Sequence, residues 1–172
     1  MSESWTLLIA LHAAGATLAV VLGGYQVLRR GKGDVLHRRL GRLWMADMYW
    51  VTFSSFGIRR LDPGHFTWIH ALSLWTILTL SLAVWTARRH DVRAHRRWVV
   101  GSYFGLLGAG VAAVAVPSRL LPQTAIHAPW ALLGALLGVT VLAVAGIQLA
   151  AHLPPRISRS PVAEPRTDVA RP

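Results

Sequence analysis

Apolar positions along the chain gather into five runs, at 5–28, 43–58, 66–87, 98–116 and 130–151, with short polar segments between them. At 1.5 Å per residue an apolar helix needs about 20 residues to cross a hydrocarbon core of about 30 Å. Four of the runs meet that length closely. The second is shorter and carries Asp47, Ser54 and Ser55. The pattern predicts an all-α fold, a polytopic transmembrane helical bundle of five spans, or of four if the second run does not cross. Residues 1–153 would form the bundle. The tail, PPRISRSPVAEPRTDVARP at 154–172, is rich in proline and poor in apolar residues. It reads as a disordered cytoplasmic tail.

A second pattern lies over the first. Shifted by 58 residues, His12-Ala13 falls on His70-Ala71, Leu22 on Leu80, Arg30 on Arg88, and His37-Arg38-Arg39 on His95-Arg96-Arg97. The two histidines of each unit are 25 residues apart. This predicts two parallel two-helix repeats, about 5–58 and 64–116, followed by an extra span at 130–151. An offset of two helices keeps both repeats in one membrane orientation, so they would pack about an axis along the membrane normal.

The basic residues give the orientation. Arg29, Arg30, Lys32, Arg38, Arg39 and Arg42 lie between runs one and two. Arg88, Arg89, Arg93, Arg96 and Arg97 lie between runs three and four. The tail adds Arg156, Arg159, Arg166 and Arg171, and only Arg59, Arg60 and Arg119 fall on the opposite side. The positive-inside rule then places the N-terminus outside and the C-terminus in the cytoplasm of a bacterial cytoplasmic membrane. The net charge of +11 sits between apolar runs and not along one exposed stripe, which argues against nucleic acid. The partners expected are membrane lipids and either other membrane subunits or further copies of the chain. The sequence contains no cysteine, so it has no disulfide and no thiolate metal site.

The candidate chemistry follows from depth. His12 and His70 fall toward the outer face, and His37 and His95 at the inner edge. Two imidazoles from different helices can hold a haem iron axially, and basic side chains would meet its propionates. His12 with His70 and His37 with His95 are the candidate cofactor-binding pairs, with haem b as the cofactor. Arg38, Arg39, Arg96, Arg97 and Arg119 are candidate partners for carboxylates. Gly101, Gly105, Gly108 and Ala112 share one helical face, as do His12, Ala16, Ala19 and Gly23. Such faces suit a cofactor slot or close helix packing. Asp47 stands inside the second run and must find a partner on another element or in water; Arg42, His95, Tyr103 and Gln26 are candidates.

These blocks resemble a known family. His12 with its Ala/Gly-rich helix, Arg29-Arg30-Gly31-Lys32-Gly33, His37-Arg38-Arg39-Leu40-Gly41-Arg42-Leu43-Trp44, His95-Arg96-Arg97-Trp98 leading to Ser102-Tyr103, and Arg119-Leu120-Leu121-Pro122 are similar to the uncharacterised bacterial membrane proteins grouped as domain of unknown function 2306. The resemblance covers about residues 8–122. The family often has methionine after the HRRW block and arginine before Ser-Tyr, where this chain has Val99 and Gly101. The resemblance implies a membrane fold and carries no activity. A looser likeness to b561-type cytochromes is an analogy of histidine pattern only. Two functions follow as expectations. One is a small membrane electron carrier with b-type haem and a quinone as its redox partner. The other is a non-enzymatic structural or assembly subunit of a larger membrane complex.

Overall fold

A computed structural model describes residues 6–58, 68–115 and 120–153. They form α1 (Leu7–Leu28), α2 (Val35–Gly57), α3 (Trp68–Arg88), α4 (Val92–Ala115), α5 (Leu120–His127) and α6 (Pro129–His152). α1 packs on α2, α2 on α3, α3 on α4, and α4 back on α1. The four close a ring in which α1 and α3 hold opposite corners, as do α2 and α4. α6 lies outside the ring against α1 and α2, and α5 touches α4 and α6.

Cross-helix hydrogen bonds fix the antiparallel register. Between α1 and α2, His12 Nδ1 meets Ser54 Oγ at 2.9 Å, Trp44 Nε1 donates to Ala19 O at 2.9 Å, and Gln26 Nε2 donates to His37 O at 2.9 Å. Between α2 and α3, Ser55 pairs with Ser73 at 2.7 Å and Tyr49 with Ser81 at 2.9 Å. Between α3 and α4, Ser102 Oγ donates to Thr79 Oγ1 at 3.0 Å. Other hydroxyls bond to their own helix, as Thr17 does to Ala13 O and Thr86 to Leu82 O. Without water a hydroxyl has only these two kinds of partner.

The interior between the two ends of the ring is apolar. Ala19, Leu22, Trp44, Met48 and Leu80 form its core, joined by Ala143 from α6, with Val99, Tyr103 and Leu106 packed against it. In lipid the hydrophobic effect does not drive helices together, so close packing and buried hydrogen bonds must. Gly23 permits that closeness. A Cβ there would lie 2.7 Å from both Trp44 Nε1 and Tyr103 Cδ2.

α1, α3 from His70, α4 and α6 are long and apolar enough to cross a membrane. α2 is not among them, because Arg38, Arg39 and Arg42 occupy its first turns and Asp47 its middle. Its bonds to α1 nevertheless run from His37 to Ser54, nearly its full length. The molecule is therefore an all-α polytopic membrane bundle with four long apolar helices.

Several sequence expectations need correction. α2 starts at Val35 and α4 at Val92, earlier than the apolar runs at 43 and 98. Asp34 and Asp91 supply the reason, since each carboxylate accepts a backbone N–H of the new helix, from His37 at 2.7 Å and from Ala94 at 3.0 Å. The HRR triplets are thus helical. α5 was not predicted; Pro122 sits in its first turn, where a missing N–H costs little. The face Gly101, Gly105, Gly108 and Ala112 points outward, and a Cβ on any of these glycines would meet nothing within 4 Å. α4 instead turns Ala94 and Ser102 inward. The tail at 154–172 and Arg119 lie outside the described residues.

Gly23 and Gly105 make a paired test of this packing. Gly23→Ala forces Trp44 and Tyr103 apart and should cost about 1–3 kcal/mol, the usual penalty of overpacking. Gly105→Ala adds a methyl to open space and should be neutral or slightly stabilising, by up to about 1 kcal/mol from helix propensity. Thermal unfolding in detergent, followed by tryptophan fluorescence, reads both. Equal effects would show that the tight contact at Gly23 is misplaced.

Candidate functional site

The four histidines singled out by the repeat occupy the two ends of the ring. His12 on α1 and His70 on α3 stand at opposite corners of one end. His37 on α2 and His95 on α4 stand at opposite corners of the other.

The end with His37 and His95, which is the inner end on the positive-inside reading, is built by two capped helix starts. Asp34 and Asp91 place His37 and His95 in the first turns of α2 and α4. Arg29 holds Asp34 from the other side through two bonds, at 2.8 and 2.7 Å. That guanidinium, followed by the His37 N–H, holds the Asp34 carboxyl down at about 2. Lys32 closes the end of α1 by donating to the carbonyls of Gln26 and Val27. Burial, and then the charges of Arg96 and Arg29, push Lys32 below the ordinary lysine range. In the second loop His90 takes φ 59°, a left-handed turn residue that lets Asp91 N donate to Thr86 O.

The charges that reach His37 are those of Lys32, His95, Arg29 and Asp34. The two inner histidines thus share one electrostatic neighbourhood, with Arg29, Lys32 and Arg96 around it. His95 Nδ1 lies 2.8 Å from Ala83 O. A carbonyl only accepts, so this nitrogen carries the proton and Nε2 keeps its lone pair. His37 Nδ1 is enclosed and has no hydrogen-bond partner, and the same holds for Gln26 Oε1.

At the outer end, His12 Nδ1 lies 2.9 Å from Ser54 Oγ, which in turn lies 3.0 Å from Val51 O. His70 is buried, with its ring 5.7 Å from that of Phe56. Both outer histidines therefore meet the last turns of α2. The described residues supply no arginine or lysine at this end.

The remaining candidates are dispersed. Arg39 Nη1 donates to Ala150 O and Leu153 O, at 2.8 and 2.6 Å, and so fastens the end of α6 to α2. Arg38 donates to Gly33 O, while Arg96 and Arg97 are exposed beside His95. Asp47 meets none of its expected partners. It lies against Gly15 and Trp50, and its Oδ2 is enclosed without a hydrogen bond. Met48 is core and Met45 packs on that core. Among the described residues no group of three or more His, Cys, Asp or Glu could hold a metal ion.

Sequence reasoning missed Asp34, Asp91 and Lys32 and gave Gln26 another role. The two aspartates carried a readable signal, since each stands immediately before a helix start as an N-cap does. Gln26 carried none, because its role depends on which helix faces it.

The Asp34 pair predicts a pH dependence. A carboxyl held below its unfolded value stabilises the fold above that value, about 3.9, and loses the contribution as pH falls toward 2. Asp34→Asn keeps a cap oxygen but loses the Arg29 pair, so it should unfold at a lower temperature than the unchanged protein at pH 6. The gap should narrow between about pH 4 and pH 2. A gap independent of pH would remove the ion pair from the account.

Comparison with known proteins agrees with this architecture. No curated protein and no solved structure matches the chain. The model of one family, described as predicted membrane protein (DUF2306), matches residues 9–149. The chain is a small integral-membrane protein and belongs to the DUF2306 family of membrane proteins.

Proposed function

We propose that the protein is a membrane electron carrier whose b-type haem would be held at the inner end of the ring by His37 and His95. The observation that carries this reading is the placement of the two histidines at opposite corners of one end of a four-helix ring. Opposite corners would let the two imidazoles hold the group between them. The donor set fits. His95 is tethered through Nδ1–H to a backbone carbonyl, the arrangement that fixes Nε2 as a ligand. Arg96 and Arg97, exposed beside His95, would be the cations for two propionates, since Arg29 is bonded to Asp34 and Lys32 to the end of α1. When bound, the haem would supply a one-electron couple. The chain's part is to orient two imidazoles and neutralise carboxylates. His12 and His70 have the same corner placement at the other end and are the candidate pair for a second haem.

The repeat supports the same reading. Moved back by 58 residues, the Ala83–His95 contact falls on Tyr25 and His37, and Thr79–Ser102 falls on Val21 and Trp44. These neighbour the Gln26–His37 and Ala19–Trp44 contacts of the first hairpin. Equivalent helices then stand at opposite corners, as a twofold axis along the membrane normal requires. With α2 crossing beside α1, the chain spans five times. The basic inner end faces the cytoplasm, and a quinone in the bilayer is the redox partner of suitable chemistry.

One observation favours a second reading, that of a non-enzymatic subunit of a larger complex or a homo-oligomer. The glycines of α4 face outward with open space beside them.

An absorption spectrum separates the two. Protein purified after expression with added haem should show sharp reduced bands of low-spin b-haem at near-stoichiometric amount. His37→Ala and His95→Ala should each abolish the same component, while His12→Ala leaves it in place. A colourless protein would sink the carrier reading and leave the subunit reading.

A further inference from the structure

Asp47 is an ionisable side chain at mid-membrane depth that the electron-carrier reading does not use. It lies near the centre of the 23-residue α2, about 15–18 Å from either end at 1.5 Å per residue. It faces Gly15 of α1, whose missing Cβ leaves room for the carboxyl. A Cβ there would stand 3.2 Å from both Asp47 Oδ1 and Trp50 Cδ1. Asp47 Oδ2 is enclosed with no hydrogen-bond partner. Among the described residues no cation pairs with the carboxyl. On α2 itself, His37, Arg38 and Arg39 belong to the first turns, and Arg42 is exposed, five residues earlier and about 140° round the helix. Tyr49 is bonded to Ser81 of α3. The helices packed against α2 are α1, α3 and α6. On α1 the titratable groups are Tyr25, toward the inner end, and His12, held by Ser54 two turns along α2 from Asp47. α3 has His70 and Arg88 near its two ends, and α6 has His152 as its last residue.

A carboxylate in hydrocarbon needs a cation or several donors, and without them the group takes a proton and becomes neutral. We infer that Asp47 is a proton-binding site in the middle of the bilayer, a neutral carboxylic acid reached from the lipid and not from water. As an acid it needs no counter-charge. Its enclosed Oδ2 then serves as the carbonyl oxygen, which has no proton to place, and Oδ1 carries the proton. Access comes from the open side of the seam between α1 and α2. Asp47 is half-buried, and Leu43 and Trp50, about a turn away on either side along the same flank of α2, are 45% and 46% exposed. The ligand is a proton, and its exchange partner is an acid or base dissolved in the bilayer. The site rests on α2 lying beside α1 in the bilayer and on nothing about haem.

A hydrophobic carbodiimide reads such a site. The acid adds across one C=N bond of the reagent, its proton going to nitrogen and its oxygen to the central carbon, so the reaction draws on the protonated form. The probe is dicyclohexylcarbodiimide, applied to haem-free protein in phosphatidylcholine vesicles, with the adduct located by peptide mass spectrometry. Asp47 should be modified at pH 7, and the rate should fall about tenfold per pH unit once the acid begins to lose its proton. A water-soluble carbodiimide should leave Asp47 unmodified. Asp47→Asn should remove the adduct and Asp47→Glu should keep it. The infrared spectrum at pH 7 should hold a protonated-carboxyl band that Asp47→Asn removes. If a variant fails to fold, the two reagents on the unchanged protein still decide. No adduct with the hydrophobic reagent overturns the inference. So does a carboxylate at pH 7, or modification by the water-soluble reagent, since either shows a charged group solvated by water. These readouts do not depend on haem, so a colourless protein would sink the carrier reading and leave the Asp47 site standing.

Discussion

The contact of Trp44 with the Gly23 turn of α1 is the interaction on which the rest of the ring depends. The indole crosses from α2, donates to Ala19 O, and occupies the space where a Cβ of Gly23 would be. Tyr103 comes from α4 to the same glycine and reaches Val20 O at 3.4 Å. One small residue thus admits two large ones from different helices, and α1, α2 and α4 are joined at one level. In a bilayer this matters more than burial of apolar area, because lipid already solvates leucine. A single interhelical hydrogen bond there is worth only about 0.6–2 kcal/mol. The fit of aromatic rings against glycine decides how close the helices come.

Above and below that level the ring is polar in a controlled way. Hydroxyls bond across helix pairs or back along their own helix, so α2 can run beside α1 despite its poor hydropathy. Its arginines gather at the inner end, where Arg38 and Arg39 bond to loop and helix-end carbonyls. Asp47 stands apart, with one enclosed oxygen unpaired in the interior of the helix pair. Its neighbour Gly15 lets the carboxyl lie close against α1.

The inner end joins structure to function. Asp34 and Asp91 start two helices, and those starts carry His37 and His95. Arg29 and Lys32 bind the same loop to the end of α1. A change in the loop would therefore move the proposed ligands. α6 is attached differently, through Arg39 and Ala143, and adds a wall to the ring without taking part in it.

The sequence by itself determined the membrane class, the long helices and the two hairpins, because long apolar runs and basic punctuation are local properties. The 58-residue spacing of His12 with His70 and His37 with His95 was likewise legible, as was the family. Helix starts at Val35 and Val92 were legible only in principle, through Asp34 and Asp91, because the apolar pattern drowned the cap signal. Which face of α4 turns inward was not legible. Gly101, Gly105 and Gly108 make a packing pattern, yet Ala94 and Ser102 face the ring, and periodicity names faces without naming their neighbours. The same limit hid the partners of Asp47, Gln26 and Arg39. Each of these side chains bonds or packs across helices, and only the closure of the ring, with α6 laid against α1 and α2, decided what it would meet.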